Sequence, residues 1–137
     1  GTEPEASMEA GNDAIDAVGP LPKYTDSALA KLQKNSDNVH TGWTYRGTNL
    51  SDSRVHELFP DNGVHVDKGF MSSSTNIGER FPGTVHIDII STKGVYVEGV
   101  SAVQKESEVL FRSNSQFDVL KKIKNENGIW EIMLYEK

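Results

Sequence analysis

Beyond Asp61 the chain is cut into short pieces. Turn signals at Asp61-Asn62-Gly63, Lys68-Gly69, Pro82-Gly83, Lys93-Gly94 and Asn127-Gly128 separate runs rich in β-formers. Those runs, "GFMSSST", "TVHIDII", "GVYVEGV", "EVLFRS", "QFDVLKKI" and "IWEIMLYE", read as strands, and no helical pattern stands between them. Helical spacing is confined to the earlier part. "TDSALAKLQKN" offers Thr25 or Asp26 as an N-cap, Leu29 and Leu32 three apart, and lysines toward its end. "SDSRVHELFP" offers a Ser cap, Val55, Leu58 and Phe59 on one side, and Pro60 as a stop. Between the two, "GWTYRG" alternates, with Trp43 and Tyr45 on one face and Thr44 and Arg46 on the other. Helices early and strands late, without strand-helix alternation, favour an α+β or two-sheet architecture over a doubly wound one.

A chain of 137 residues is the size of one domain. No apolar stretch approaches the ~20 residues of a membrane-spanning helix, so neither a membrane nor, with a formal charge of −6, a nucleic acid is an expected partner. There is no cysteine, so the fold must rest on its core. Residues 1–22 form an acidic lead-in (Glu3, Glu5, Glu9, Asp13, Asp16) and residues 23–137 the folded domain. The opening Gly and the lack of a signal segment suggest a piece of a longer polypeptide. His40, His56, His65 and His86 lack metal-site spacing, so no metal is expected, and both common phosphate-binding glycine motifs are absent.

Three stretches carry candidate chemistry. Arg46 on a strand is either a solvated or ion-paired arginine or a rigid fork matching two phosphate or carboxylate oxygens. "FMSSST" puts hydroxyls on both strand faces; it is either a polar strand end or a run selected for small hydroxyl groups. Glu106-Ser107-Glu108 would hold two carboxylates on one side of an extended chain about 6.5 Å apart. That is either a charged strand end or a pair with two duties, one stabilising a developing sugar cation and one handling a proton.

In order and spacing, "YRG" (Tyr45 to Gly47), "FMSSS" (Phe70 to Ser74) and "ESEVLF" (Glu106 to Phe111) resemble the Arg, Ser-Thr-Ser and Glu-x-Glu motifs of arginine-specific mono-ADP-ribosyltransferase toxin domains. The likeness extends to interbacterial effectors of the type VI secretion and Rhs kinds, and covers most of residues 24–137. Ser73 departs from the family's middle Thr, and the chain is short for the family. The resemblance implies two small, roughly perpendicular, antiparallel-rich sheets with NAD⁺ in the cleft between them. It implies that Arg46 pairs with an NAD⁺ phosphate and nearby ribose, and that Gly47, without a side chain, lets the nicotinamide amide approach. Tyr45, Ser74 and Phe81 join Arg46, Gly47, Ser72 and Glu108 at the NAD⁺ site. Ser72 orients Glu108; Glu108 accepts from the ribose hydroxyl and stabilises the sugar as nicotinamide leaves; Glu106 faces the acceptor, which a Glu there suggests is an arginine. Trp43, Trp130 and Tyr135 read as core or rim residues without chemistry.

The function so implied is transfer of ADP-ribose from NAD⁺ to a protein, in an effector delivered into the cytoplasm of a target, bacterial cell. The expected targets are a GTPase, a translation factor or a cytoskeletal or division protein, and a cognate immunity protein is the expected partner. The rival readings are an NAD⁺ glycohydrolase and a non-catalytic β-rich binding module.

Overall fold

A computed structural model describes residues 25–69, 71–97 and 108–137. The lead-in 1–22, Phe70, the end of "GVYVEGV" and Glu106 lie outside the described residues. The first helix, α1 (Asp26–Gln33), begins where the sequence puts its cap: the Thr25 hydroxyl accepts from Ala28 N at 3.1 Å, and Leu29 turns fully into the core. The second, α2 (Asp52–Leu58), is capped by Ser51, whose hydroxyl accepts from Arg54 N at 3.3 Å. It buries Val55 and the following Phe59, then meets Pro60, which cannot continue a helix.

The strands are β1 (Val39–Thr48), β2 (Val64–Asp67), β3 (Ser72–Ser74), β4 (Val85–Tyr96), β5 (Glu108–Leu110), β6 (Ser115–Lys124) and β7 (Trp130–Glu136). Of these, β2 was not legible as a strand. Four residues squeezed between two turn signals carry too little pattern, and β2 exists because it pairs with β6, His65 opposite Phe117. Its start is set by the turn at Asp61–Gly63, where Asn62 has φ of 55°.

One larger departure concerns Lys93-Gly94, read as a turn between two strands. The chain instead runs on through it as the single 12-residue β4. A Cβ on Gly94 would stand 2.5 Å from Val109 Cγ1 and 2.6 Å from Ser91 Oγ, so the glycine is there because another strand packs onto it. The backbone is irregular beside it. Thr92 N and Lys93 N both donate to one carboxylate oxygen of the buried Glu136, at 2.8 and 2.7 Å. The facing strand breaks register at the same level, between His40 and Gly42, where Gly42 has φ of 130°. Both long strands therefore kink together, as bulged strands do where they pass from one sheet to another.

This kink explains the topology. Along most of their length β1 and β4 pair with each other, and β4, β7, β6 and β2 follow in order, with β4–β7 parallel and the other contacts antiparallel. Past the kink β4 pairs with β5, β5 with β3, and β3 returns to β1 at Tyr45. The short strands β3 and β5 thus close a ring with β1 and β4. The architecture is α+β and antiparallel-rich, as expected.

Val85, Ile87, Ile89, Val109, Phe111, Phe117, Ile132 and Leu134 meet beneath α2 in the main core. Leu29, Val95, Val97 and Leu110 form a smaller one under α1. Each of these larger side chains contributes about 1.5–3 kcal/mol on burial. In β1 the residue turned inward is Thr44 rather than either aromatic neighbour; Trp43 and Tyr135 are exposed and Trp130 is buried.

Candidate active site

The ring brings the three motifs together. Arg46 lies near the end of β1, the serines form β3, and Glu108 opens β5. Because β3 pairs antiparallel with both β1 and β5, Ser74 stands opposite Tyr45 on one side and Glu108 on the other. Tyr45, Arg46, Gly47, Ser72, Ser73, Ser74, Glu79, Arg80, Phe81 and Glu108 line one cleft of about 190 Å³.

Alternation along β3 sorts its hydroxyls. Ser73 points into the core, where its Oγ donates to Val109 O at 3.3 Å; that disposes of the hydroxyl on the wrong face. Ser72 and Ser74 share the other face, with Glu108. Arg46 Nη1 donates to the carbonyl of Ser72 at 3.0 Å and, more loosely, to its Oγ at 3.5 Å. The guanidinium is thereby held against β3 and aimed along the cleft, a preorganisation that a surface arginine lacks.

Glu108 is half-buried, and burial raises its carboxyl above the usual glutamate range. A second carboxylate, Glu79, adds to the rise by like-charge repulsion. Glu79 ends a one-turn 3-10 helix (Ile77–Glu79) capped by Asn76, and its Oε1 accepts from Ser74 Oγ at 3.0 Å. Ser74 Oγ in turn accepts from Asn76 N at 3.0 Å. A carboxylate kept out of water beside a sugar binding position can stabilise positive charge developing there, because the surroundings do not screen it.

The loop after this turn is pressed onto β1. A Cβ on Gly47 would stand 1.6 Å from the Phe81 carbonyl oxygen and 3.0 Å from Arg80 Cγ. The space beside Gly47 is therefore filled by the protein's own loop, which gives the glycine a reason distinct from nicotinamide access. Arg80 donates to Asp88 at 2.7 Å, and its guanidinium carbon lies 5.9 Å from the centre of the Tyr45 ring. The Phe81 ring remains 54% exposed at the rim, so it is available to a ligand.

Of the residues singled out from the sequence, Tyr45, Arg46, Gly47, Ser72, Ser74, Phe81 and Glu108 meet in the cleft. The neighbour directly across from Glu108 is Ser74, while Ser72 pairs with Leu110 and touches Arg46. Glu79 and Arg80 were missed. Their signal was slight: a turn capped by Asn76, two residues beyond Ser74, in a stretch that reads as connection. Among the described residues no group of three or more His, Asp or Glu side chains is placed to hold a metal ion.

An anchored guanidinium, a pair of hydroxyls and a half-buried carboxylate thus stand on adjoining strands of one cleft, groups whose chemistry suits an oxyanion and a developing cation. The chain belongs to the NAD:arginine ADP-ribosyltransferase family, whose sequence model matches residues 16–137. It is 33% identical over 98 residues to the NAD(+)–protein-arginine ADP-ribosyltransferase Tre1 of Serratia proteamaculans, covering 72% of this chain and 21% of the relative. The fold matches that of the type III effector XopAI of Xanthomonas axonopodis pv. citri, with a TM-score of 0.72 and 23% identity over 81% of this chain and 49% of that one. It also matches the ADP-ribosyltransferase Vis, solved in complex with agmatine, with a TM-score of 0.61 and 26% identity over 81% and 54% of the two chains. The chain thus spans about a fifth of the length of the curated relative and about half of each solved structure. The family's substrate is NAD⁺.

Proposed function

We propose that residues 23–137 are the catalytic domain of an effector that transfers ADP-ribose from NAD⁺ to arginine on a target protein. The observation that carries this reading is the convergence of Arg46, the β3 hydroxyls and Glu108 in one cleft of a family member. The cleft suits a dinucleotide: Arg46 and Arg80 supply guanidinium groups for phosphates, and Phe81 and Tyr45 supply apolar faces at the rim.

Arg46, fixed by the Ser72 carbonyl, holds a phosphate and orients the adjoining ribose. Glu108 accepts a hydrogen bond from the ribose hydroxyl and stabilises the positive charge that grows as the bond from ribose to nicotinamide breaks. Ser72, on the strand face that Glu108 shares, orients that carboxylate. Glu106 turns the acceptor guanidinium toward the sugar and takes its proton as the new carbon–nitrogen bond forms, since a guanidinium with pKa above about 12 is a poor nucleophile unaided. The arginine-like amine agmatine held by Vis supports an arginine acceptor.

The target is a GTPase, a translation factor or a cytoskeletal or division protein in the cytoplasm of another, bacterial cell, and an immunity protein protects the producer. That the fold is shared with a type III effector supports delivery from one cell into another. Incubation with labelled NAD⁺ and bacterial lysate tests the reading. Labelled protein carrying ADP-ribose on arginine supports it; free ADP-ribose with no labelled protein would overturn transfer in favour of NAD⁺ hydrolysis.

A further inference from the structure

Glu79 belongs to none of the motifs, yet it stands in the cleft and is bonded to the residue that faces Glu108. The geometry is specific. Ser74 and Glu108 are directly paired across β3 and β5, which puts their side chains on one face about 5 Å apart at Cβ. A serine hydroxyl has a single proton to donate. Here Ser74 gives it to Glu79 at 3.0 Å and fills an acceptor position with Asn76 N. In this arrangement Glu108 cannot receive the Ser74 proton; Glu79 has taken it.

We propose that Glu79 is a positioning residue of the transfer reaction: it competes with Glu108 for the one Ser74 proton and sets a second negative charge beside the catalytic carboxylate. This deepens, and rests on, the assignment of Glu108 as the residue that meets the sugar. Two consequences follow. Without ligand, Glu108 is held in a field that favours its neutral form, in agreement with the upward displacement that burial and Glu79 impose on it. With ligand, the positive charge that develops on the ribose as nicotinamide leaves is met by both carboxylates and favours the ionised form of Glu108. Among the described residues, the other charged and titratable groups lining the cleft are Tyr45 and Arg46 of β1 and Arg80 of the loop, and Arg80 is bound to Asp88 of β4.

The test is the pH profile of nicotinamide release, compared between wild type and variants chosen to separate the charge from the hydrogen bond. Glu79→Gln keeps an oxygen that can accept from Ser74 but removes the charge; the acid-limb midpoint of kcat/KM should move to lower pH. Glu79→Asp keeps the charge and should restore the wild-type midpoint even if the rate falls. Ser74→Ala keeps the charge and should lower kcat without moving the midpoint. A Glu79→Gln midpoint identical to wild type would overturn the proposal, because a residue that merely braces the turn leaves the midpoint in place; an equal shift in Glu79→Asp would overturn it too, because the charge would then not be the cause. Glu108→Gln in the same series guards the underlying assignment: retained nicotinamide release there would sink the role of Glu108 itself, whatever the Glu79 variants do.

Discussion

Replacing Gly47 by Ala tests how tightly the cleft is built. The added methyl would lie 1.6 Å from the Phe81 carbonyl oxygen and 2.7 Å from its carbon. Carbon and oxygen settle at roughly 3.5 Å, so something must move by almost 2 Å. Gly47 is fixed in the ladder opposite His86, so the Arg80–Phe81 loop is the partner that yields. Its retreat takes the Phe81 ring from the rim, pulls Arg80 from Asp88 and Tyr45, and shifts the turn that carries Glu79. Overpacking of this kind costs about 1–3 kcal/mol, which in a domain of this size lowers Tm by roughly 4 °C per kcal/mol. The effect on chemistry should be larger, since displacement of a positioning element by about 1 Å can cost on the order of 100-fold. Steady-state nicotinamide release should show kcat/KM for NAD⁺ reduced by about two orders of magnitude while far-ultraviolet circular dichroism is preserved. A Gly47→Ala protein with kcat/KM within twofold of wild type would refute the claim that the loop's seat on β1 shapes the site.

Arg46→Lys keeps the charge but loses the fork, so KM for NAD⁺ should rise by roughly tenfold or more, the worth of a charge-assisted hydrogen bond of about 1.5–3 kcal/mol; an unchanged KM would remove Arg46 from phosphate binding. Glu136→Ala strips the acceptor from Thr92 N and Lys93 N, and two orphaned donors should cost about 2–5 kcal/mol in urea unfolding; a loss below 0.5 kcal/mol, on the same ~1 kcal/mol scale per bond, would show the kink is not held by that carboxylate. Glu108 itself sets a pH dependence of stability. Its carboxyl is raised in the folded state from the ordinary 4.5, so the fold gains from it below that pH and loses the gain as pH rises through the higher folded value. Glu108→Gln should therefore be more stable than wild type at pH 7, with the difference vanishing in acid; equal stability at both would contradict the half-buried placement.

The sequence was most readable where one local rule decided the outcome. Thr25 and Ser51 cap their helices because a hydroxyl before an apolar stripe has little else to do, and Pro60 ends α2 for the same local reason. The Arg, Ser and Glu stretches were recognisable by order and spacing. What escaped depended on partners far along the chain. Gly94 looks like a turn until Val109 and Phe111 are seen packed against it, and the carboxylate that steadies the adjoining backbone comes from Glu136, 43 residues beyond Lys93. β2 is too short to announce itself without β6. In the site, the reading that Gly47 clears space for a ligand missed the Phe81 carbonyl, since nothing local shows which backbone will occupy the gap. Glu79 and Arg80 were passed over because a loop's charges look solvated until the turn that aims them inward is known.

The central claim is that Glu108, at the mouth of β5, is the group that makes nicotinamide leave. Nicotinamide release from NAD⁺ by Glu108→Gln, measured beside its thermal unfolding at pH 7, tests it most directly. Release should fall by about two to three orders of magnitude, the scale of a lost transition-state electrostatic contact, while Tm is maintained or raised. Release near the wild-type rate from a folded Glu108→Gln protein would contradict the account.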